Sequence, residues 1–351
     1  MQDVIISKNL NLSLTQAIEK CEHDKLFVLT DTVTHEKCLP VIAENPFIQS
    51  ARIIVIKDTD ENKTLDSLAE VWTALSNGGG TRHSLLINLG GGMVTDLGGF
   101  AASTFKRGIN YINIPTTLLS MVDAAVGGKT GINFNGLKNE VGVFNPASSV
   151  ILDTTFLRTL DYKNICSGYA EMLKHGLIST EAHWAELIRF DLNDIDYAHL
   201  QNLVAQSVSI KENIVKEDPF EKGIRKALNL GHTAGHALES LALEEHRTVL
   251  HGYAVAWGLV CELYLSCKHT GFPKDKLRQT IEFVKNNYGV FTFDCKSYDR
   301  LYELMTHDKK NTSGHINFTL LKNVGDILIN QTMEKEDILD MLDFYRESMG
   351  C

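Results

Sequence analysis

The alternation of short apolar runs with amphipathic stretches constrains the fold of this chain most, and it continues to about residue 155. The apolar runs are FVLTD (27–31), ARIIVIK (51–57), SLLINLG (84–90), YINIPTT (111–117) and VILD (150–153). Between two of them, LDSLAEVWTAL (65–75) repeats its apolar residues at helical spacing. Short strands that alternate with helices are typical of α/β domains, and we expect one here.

Helical patterns replace the strand patterns from about Cys166 onward. They are SGYAEMLKHGLI (167–178), HLQNLVAQSVSIKENIVKE (199–217), HTAGHALESLAL (232–243), HGYAVAWGLVCELYLSC (251–267) and KDKLRQTIEFVKNN (274–287), with one late extended stretch at 316–321. Because 351 residues exceed the size at which one core usually keeps growing, two domains are expected. The sequence predicts an α/β domain over residues 1–160 and a helical domain over residues 161–351.

Composition and charge exclude several classes of protein. Hydrophobic residues make up 44% of the chain and charged residues 22%, which is ordinary soluble usage. The amino terminus lacks the order of a signal peptide, and no apolar run approaches the roughly 20 residues that cross a bilayer. Seven cysteines without a CxxC pair indicate reduced thiols. Since the net charge of -10 disfavours nucleic acid, we expect a cytoplasmic protein with no nucleic-acid or membrane partner.

A glycine turn follows the run at 84–90. Gly90, Gly91 and Gly92 precede a helical pattern in SLLINLGGGMVTDLGGFAASTF (84–105). Such a turn lets the backbone approach a diphosphate, and the helix start attracts its charge. An ordinary strand-to-helix turn would use the same glycines, and the GxGxxG fingerprint is absent. GGKT at 127–130 is not a phosphate loop either, because Asp123 occupies the place of the first glycine.

Polar residues at other predicted strand ends could complete a nucleotide site. Asp31 ends the run FVLTD, and Thr116 with Thr117 follows NIP. An acidic residue there can accept hydrogen bonds from ribose hydroxyls, and threonines can bind phosphate. Each is also a common cap or turn residue.

Histidines and a glutamate have the composition of a metal site. His232 and His236 are four residues apart and share a helix face, His251 opens the next helical pattern, and Glu171 supplies a carboxylate. Imidazoles with one carboxylate and an open position are the usual ligands of catalytic zinc. Spacing leaves the ligand set open, because His175 and His236 are also in range.

Basic residues accompany these motifs. They are Lys129, Lys138, Lys174, Lys211, Arg225, Lys309 and Lys310, beside Asn139 and Asn229. Scattered lysines are usually solvated surface, but converging ones would bind a substrate that carries phosphate and carboxylate. Arg225 suits bidentate contact with such groups.

Seven ordered motifs together resemble the 3-dehydroquinate synthase family. They are GGGMVTDLGGFAASTFKRGI (90–109), IPTTLLSMVDAAVGGKTGIN (114–133), GLKNEVGVF (136–144), AEMLKHGLI (170–178), KGIRKALNLGHTAGHALE (222–239), HGYAVAWG (251–258) and DKKN (308–311). The resemblance implies a Rossmann-like NAD-binding amino-terminal domain and a helical metal-binding carboxy-terminal domain. It also implies an active site in a cleft and a homodimer.

The resemblance assigns roles residue by residue. It makes Glu171, His232 and His251 the ligands of one zinc or cobalt ion, and His236 a proton-handling or phosphate-binding neighbour. It assigns substrate to Asp123, Lys129, Asn139, Lys174, Lys211, Arg225, Asn229 and one of Lys309 and Lys310, with Arg107 contributed by the neighbouring subunit. It assigns NAD to Asp31, Asp60, Lys63, Gly90, Gly91, Gly92, Met93, Val94, Thr95, Asp96, Thr116, Thr117, Lys129, Lys138, Phe156, Leu157, Arg158 and Thr159.

Three positions depart from the family pattern. Tyr253 stands where the family often has glutamate, and we expect it to alter the surroundings of the metal. His175 replaces a frequent tyrosine and could add a competing ligand. Asp60 replaces the usual glutamate of the nucleotide loop and could weaken a ribose contact.

The reaction implied by the resemblance converts 3-deoxy-D-arabino-heptulosonate 7-phosphate to 3-dehydroquinate and phosphate, in the shikimate pathway. It proceeds by transient oxidation with NAD, phosphate elimination, re-reduction and intramolecular aldol closure. The alternatives are a related sugar-phosphate cyclase, a metal-dependent polyol or alcohol dehydrogenase, and a non-catalytic NAD-binding regulator. A dehydrogenase would have no need for the lysines, and Arg225, Asn229 and His236 together favour the dehydroquinate-forming pattern over the other cyclases.

Overall fold

A computed structural model describes residues 2–306 and 316–351, which form two compact units. The first unit comprises Met1–Asp161 and Tyr197–Val208, and the second comprises Tyr162–Asp196 and Ser209–Cys351. Among the helices in these ranges, none combines the length and the apolar character needed to cross a membrane.

The first unit is built on a six-stranded parallel sheet in the order β1-β8-β5-β4-β2-β3. Its strands are β1 (Asp3–Ile6), β2 (Leu26–Asp31), β3 (Arg52–Ile56), β4 (Leu85–Gly90), β5 (Asn110–Pro115) and β8 (Ser149–Leu152). Every residue of β2 and β4 is buried. Continuous burial is expected of parallel strands covered on both faces, and it explains why these runs are apolar throughout.

Helices connect and cover these strands. They are α1 (Leu10–Glu19), α2 (Thr32–Lys37), α3 (Leu39–Ile42), α4 (Pro46–Ser50), α5 (Leu65–Asn77) and α6 (Gly92–Thr104). The neighbouring strands β2, β4 and β5 end at Asp31, Gly90 and Pro115, so the residues that follow lie along one edge of the sheet.

An antiparallel pair, β6 (Lys129–Phe134) and β7 (Leu137–Phe144), completes the first unit. All eight residues of β7 are exposed, among them Leu137, Val141, Val143 and Phe144. By the alternation of a strand, Leu137, Val141 and Val143 share one face of β7, and Phe144 lies on the other.

The second unit is largely helical. Its helices are α7 (Tyr162–Leu177), α8 (Glu181–Arg189), the carboxy-terminal part of α9 (Tyr197–Glu217), α10 (His232–Glu244), α11 (His251–His269), α12 (Lys274–Tyr288), α13 (Tyr298–Thr306) and α14 (Lys335–Met349). Strands β9 (Asn317–Asn323) and β10 (Asp326–Thr332) form an antiparallel hairpin.

Helices α10 and α11 approach each other closely through glycines. A Cβ atom added to Gly258 on α11 would lie 1.9 Å from the carbonyl oxygen of Gly231, just before α10. Gly231 itself has a φ of 79°, a conformation that favours glycine. Both positions therefore require glycine, and the close approach places the amino-terminal residues of α10 against α11.

The predicted fold class is confirmed: a parallel sheet with helices precedes a helical part. Each of the five apolar runs corresponds to a strand, and each named helical pattern to a helix. The late extended stretch is confirmed as β9. The sequence did not predict β1, β6, β7, β10 or several short helices. These missed strands are exposed or only partly buried, so none has the continuous apolar run of β2 or β4.

Candidate metal centre and nucleotide site

Three histidines of the second unit form a cluster that could hold a metal ion. His232 begins α10, His236 lies one turn later, and His251 begins α11. Nitrogen atoms of the three rings lie within 4.8 Å of one another. The ring centroids are separated by 5.2 Å (His232 to His236), 5.5 Å (His232 to His251) and 5.6 Å (His236 to His251).

Glu171 on α7 adds a carboxylate to this cluster. Its side chain is fully buried, and Oε1 lies 3.4 Å from Nε2 of His232 and 3.6 Å from Nε2 of His251. Burial opposes ionisation of Glu171, but the positive charges of Lys174 and His232 outweigh this and hold its pKa well below the usual range. Glu171 also forms an ion pair with Lys174, one turn later on the same helix.

The other ring nitrogens of two of these histidines have acceptors. Nδ1 of His232 lies 3.2 Å from the carbonyl oxygen of Leu230, and Nδ1 of His251 lies 3.2 Å from Oε2 of Glu239. Burial lowers the pKa of His251, but the neighbouring carboxylates of Glu171 and Glu239 outweigh this and raise it to about 10. Both rings therefore direct Nε2 towards Glu171. Sequence reasoning missed Glu239, although it follows His232 by seven residues and so shares its helix face.

A second glutamate that sequence reasoning missed caps α10. Glu262 on α11 is fully buried, and its carboxylate accepts hydrogen bonds from the backbone nitrogens of Gly231 (2.7 Å), Thr233 (2.9 Å) and Ala234 (3.2 Å). A helix start leaves such amides without partners inside the helix. Glu262 therefore fixes the turn that carries His232. In the sequence, Glu262 is an acidic residue inside the apolar run LVCELYL (259–265), a position that indicates a buried carboxylate with hydrogen-bond partners.

The structure shows the surroundings of two residues that depart from the family pattern, His175 and Tyr253. His175 is buried on α7 and lies outside the group of mutually close histidine nitrogens in the described ranges. Tyr253 packs in an aromatic group, with ring centroids 6.0 Å from Trp257 and 5.1 Å from Tyr288.

Three of the predicted basic residues in the second unit are buried. Lys174, Lys211 and Arg225 have exposed fractions of 1%, 6% and 2%. Buried cations are uncommon and mark specific interactions. Lys309 and Lys310 lie outside the described residues.

A short 3₁₀ helix after α9, Ile224–Asn229, holds Arg225 and Asn229. Nη1 of Arg225 donates to the carbonyl oxygen of Pro219 at 2.6 Å, and Nδ2 of Asn229 donates to Oε1 of Glu221 at 2.9 Å. The carboxylate of Asp218 accepts hydrogen bonds from the backbone nitrogens of residues 222, 223 and 225. Asp218 therefore orders the start of the short helix that presents Arg225, a role that its sequence position did not reveal.

In the first unit, the glycine turn has the predicted strand–turn–helix context. Strand β4 ends at Gly90, and α6 begins at Gly92 without a side-chain cap among the described residues. A Cβ atom at Gly90 would lie 2.6 Å from Cβ of Val94. The first amides of α6 are thus open to an anionic ligand.

Lys63 connects two acidic residues predicted to contact NAD. It is buried, and its Nζ lies 2.7 Å from Oδ2 of Asp96 and 3.9 Å from Oδ1 of Asp60. Lys138 Nζ lies 3.6 Å from Oδ2 of Asp60. Burial raises the pKa of Asp96, opposed by the charge of Lys63. Four of the predicted nucleotide residues thus form one charged network.

The polar residues at the strand ends also serve local structure. Oδ1 of Asp31 caps α2 by accepting from the backbone nitrogen of Thr34 at 2.7 Å. Oγ1 of Thr117 accepts from the backbone nitrogen of Ser120 at 3.2 Å, and Thr116 is buried. Asp123 lies in a π-helical turn, Ser120–Ala124, a conformation that is frequent at functional sites.

The remaining predicted residues of this unit lie at its surface or in short turns. Lys129 begins β6 and is exposed, and Asn139 on β7 is exposed with a φ of 52°. Phe156, Leu157, Arg158 and Thr159 lie in one helical turn, Thr154–Thr159. Arg107 is exposed after α6 with a φ of 71°, an unfavourable conformation for a side-chain-bearing residue.

Two protein-family descriptions match consecutive parts of this chain. Residues 53–167 match the family described as 3-dehydroquinate synthase N-terminal, and residues 168–311 match 3-dehydroquinate synthase C-terminal. A 3-dehydroquinate synthase from Parabacteroides distasonis is 60% identical over 349 residues, which cover 99% of both chains.

Solved structures share the fold. One is 2-epi-5-epi-valiolone synthase from Streptomyces hygroscopicus with NAD+ and Zn2+ bound, with a TM-score of 0.86, 24% identity, and coverage of 99% of this chain and 97% of that chain. Another is 2-deoxy-scyllo-inosose synthase complexed with carbaglucose-6-phosphate, NAD+ and Co2+, with a TM-score of 0.84, 24% identity, and coverage of 98% and 96%. The solved structures support the fold. The family matches over residues 53–311 and the 60% identical relative show that the chain belongs to the 3-dehydroquinate synthase family.

Proposed function

We propose that this protein is a 3-dehydroquinate synthase, a carbon–oxygen lyase that converts 3-deoxy-D-arabino-heptulosonate 7-phosphate to 3-dehydroquinate and phosphate. The observation that carries the proposal is the buried Glu171 carboxylate facing Nε2 of His232 and of His251, in a chain 60% identical to a 3-dehydroquinate synthase over its length.

The second unit fits one divalent metal ion. Oε1 of Glu171 is buried and makes no hydrogen bond within the described part of the chain. One carboxylate oxygen with two imidazole nitrogens matches the ligand set of catalytic zinc, which leaves a position for substrate. We assign Glu171, His232 and His251 as ligands, because Nε2 of both histidines faces Oε1 of Glu171. His236 would then face substrate as a proton-handling or phosphate-binding group.

The first unit fits NAD. The uncapped start of α6 suits a diphosphate, and glycine at position 90 avoids a clash that a side chain would cause. Thr116 and Thr117 follow the neighbouring strand β5, and Asp31 ends β2, so all three lie along the same sheet edge. We assign the 90–96 turn, the Lys63 network and Phe156–Thr159 to the same nucleotide.

Residues of this chain would hold and orient the substrate. When bound, the metal supplies Lewis acidity towards substrate hydroxyls, and NAD supplies a hydride acceptor. Lys174, Lys211 and Arg225 hold positive charge in buried positions, which suits a carboxylate and a phosphate. Fixing both ends of a flexible substrate contributes the orientation that lowers the barrier to elimination and ring closure. Asp123, Lys129, Asn139 and Asn229 are assigned to substrate as well.

A homodimer is part of the proposal. Arg107 is exposed in a left-handed conformation, and a non-glycine residue in this state often has a functional reason. Strand β7 exposes apolar side chains that an association between copies would cover. We assign Arg107 to the phosphate of the partner's substrate.

Product identification tests the proposal. Purified protein would be incubated with the heptulosonate phosphate, NAD and zinc or cobalt, and the products separated and identified by mass. We expect 3-dehydroquinate with one equivalent of phosphate. No product from the heptulosonate phosphate, with a carbocycle formed when another sugar phosphate is supplied, would instead favour a related cyclase. Oxidised product with NADH would favour a dehydrogenase.

A further inference from the structure

The carboxylate of Glu239 contacts Nδ1 of His251, the ring nitrogen that faces away from Glu171. His251 lies between two glutamates: Nε2 is 3.6 Å from Oε1 of Glu171, and Nδ1 is 3.2 Å from Oε2 of Glu239. The side chain of Glu239 is 15% exposed, so water competes little for its carboxylate. The two glutamates therefore contact opposite sides of one imidazole ring.

The sequence of α10 places Glu239 on the histidine face of that helix. His232, His236 and Glu239 follow one another at spacings of four and three residues, so their side chains form one stripe. His251 begins the neighbouring helix, α11. One helix thus carries two imidazoles and the carboxylate that reaches the third imidazole.

The contact between Glu239 and His251 determines which ring nitrogen of His251 carries a proton. An ionised carboxylate only accepts hydrogen bonds, so Nδ1 of His251 must carry the proton that it donates to Glu239. The lone pair of a neutral ring is then on Nε2, the nitrogen that faces Glu171. Acceptors of this kind fix the orientation of a metal-binding histidine and increase its basicity. The carbonyl oxygen of Leu230 occupies the corresponding place beside Nδ1 of His232.

We propose that Glu239 is a positioning residue that orients His251 for metal binding through its Nδ1 hydrogen bond. This inference rests on the proposed metal site. Because the acceptor for His232 is a backbone carbonyl, Glu239 is the one of these two acceptors that a substitution can remove.

Metal affinity tests the proposal directly. Zinc dissociation constants would be measured by competition with a chelator for the wild type, Glu239→Gln and Glu239→Ala, with Glu244→Gln on the same helix as the matched control. We expect Glu239→Ala to bind zinc about 10- to 100-fold more weakly. Glu239→Gln, which keeps an acceptor oxygen, should lose less, and the control should match the wild type.

The absorption spectrum of the cobalt-substituted protein provides a second readout that a general loss of stability would not move. We expect shifted visible bands in Glu239→Ala and smaller shifts in Glu239→Gln. Zinc affinities within about threefold of wild type and unchanged cobalt bands in both variants would refute the positioning role of Glu239 and leave the proposed metal site in place. A wild type that binds no zinc, or a Glu171→Gln variant with undiminished affinity, would overturn the metal site and this inference together.

Discussion

Oε2 of Glu262 accepts a hydrogen bond from the backbone nitrogen of Gly231 at 2.7 Å, one residue before the candidate ligand His232. Two further amides of the same helix start donate to Oε1. The metal-binding face of α10 therefore depends on a buried carboxylate supplied by α11.

Replacing this carboxylate should destabilise the second unit. Glu262→Gln puts an amide donor among backbone donors, so we expect the free energy of unfolding to fall by about 2–3 kcal/mol. Urea unfolding of the metal-free protein would measure the change. Glu244→Gln, which disrupts the exposed pair with Arg300, should cost less than about 1 kcal/mol. Equal losses in the two variants would contradict the capping role.

Glu171→Gln should weaken metal binding. A neutral amide replaces the anionic oxygen that faces two Nε2 atoms, and we expect the zinc dissociation constant to rise by more than about 10-fold. Metal removal from the wild type should abolish turnover, and added zinc or cobalt should restore it. Glu70→Gln, an exposed glutamate on α5, is the control and should bind zinc normally. Full activity in a verified metal-free preparation would contradict the metal assignment.

The decrease in the free energy of unfolding at acidic pH should depend in part on Asp337. A hydrogen bond from Lys268 lowers its pKa, against partial burial, and His269 adds to the effect. Because the folded-state pKa lies below the unfolded value near 3.9, the stabilisation is complete above that pH. It is lost as the pH falls through the folded-state pKa.

Asp337→Asn should therefore lower the free energy of unfolding by up to about 1 kcal/mol at pH 7. Urea unfolding at stepwise lower pH should show the difference from wild type shrinking below about pH 4. Glu336→Gln, on the same turn of α14, is the control. A difference that persists undiminished at low pH would contradict the role of this pair.

Complementation should reveal whether Arg107 serves a partner's site. Arg107→Ala and Glu171→Ala chains should each be nearly inactive alone. A mixed dimer would hold one intact site, with Glu171 from one chain and Arg107 from the other, so activity should return after joint unfolding and refolding. Lys106→Ala, the neighbouring exposed cation, should stay active by itself. No recovery with mixed dimers present would assign Arg107 to its own chain.

The sequence predicted the elements that carry strong periodic signals. Strand β4, the glycine turn and α6 followed from one apolar run and three glycines, and the spacing of His232 and His236 placed both on one helix face. The ligand set could not be resolved in this way, because His175 and His236 were also in range by spacing.

What sequence reasoning missed depends on contacts between distant segments. Glu262 caps a helix that begins thirty residues earlier in the chain, and Glu239 reaches His251 across two helices. Strand β7 is exposed along its length, so no buried apolar run marked it. Such pairings arise from close packing, as at Gly231 and Gly258, and local patterns do not encode them.

The number of turnovers per NAD molecule tests the central claim most directly. Purified protein with zinc, excess heptulosonate phosphate and NAD well below the substrate concentration would be followed by phosphate release, product formation and absorbance of NADH. Because the hydride is expected to leave and return within one active site, we predict many equivalents of 3-dehydroquinate and phosphate per NAD, without accumulation of NADH. Product that stops at one equivalent per NAD, with matching NADH, would contradict the account.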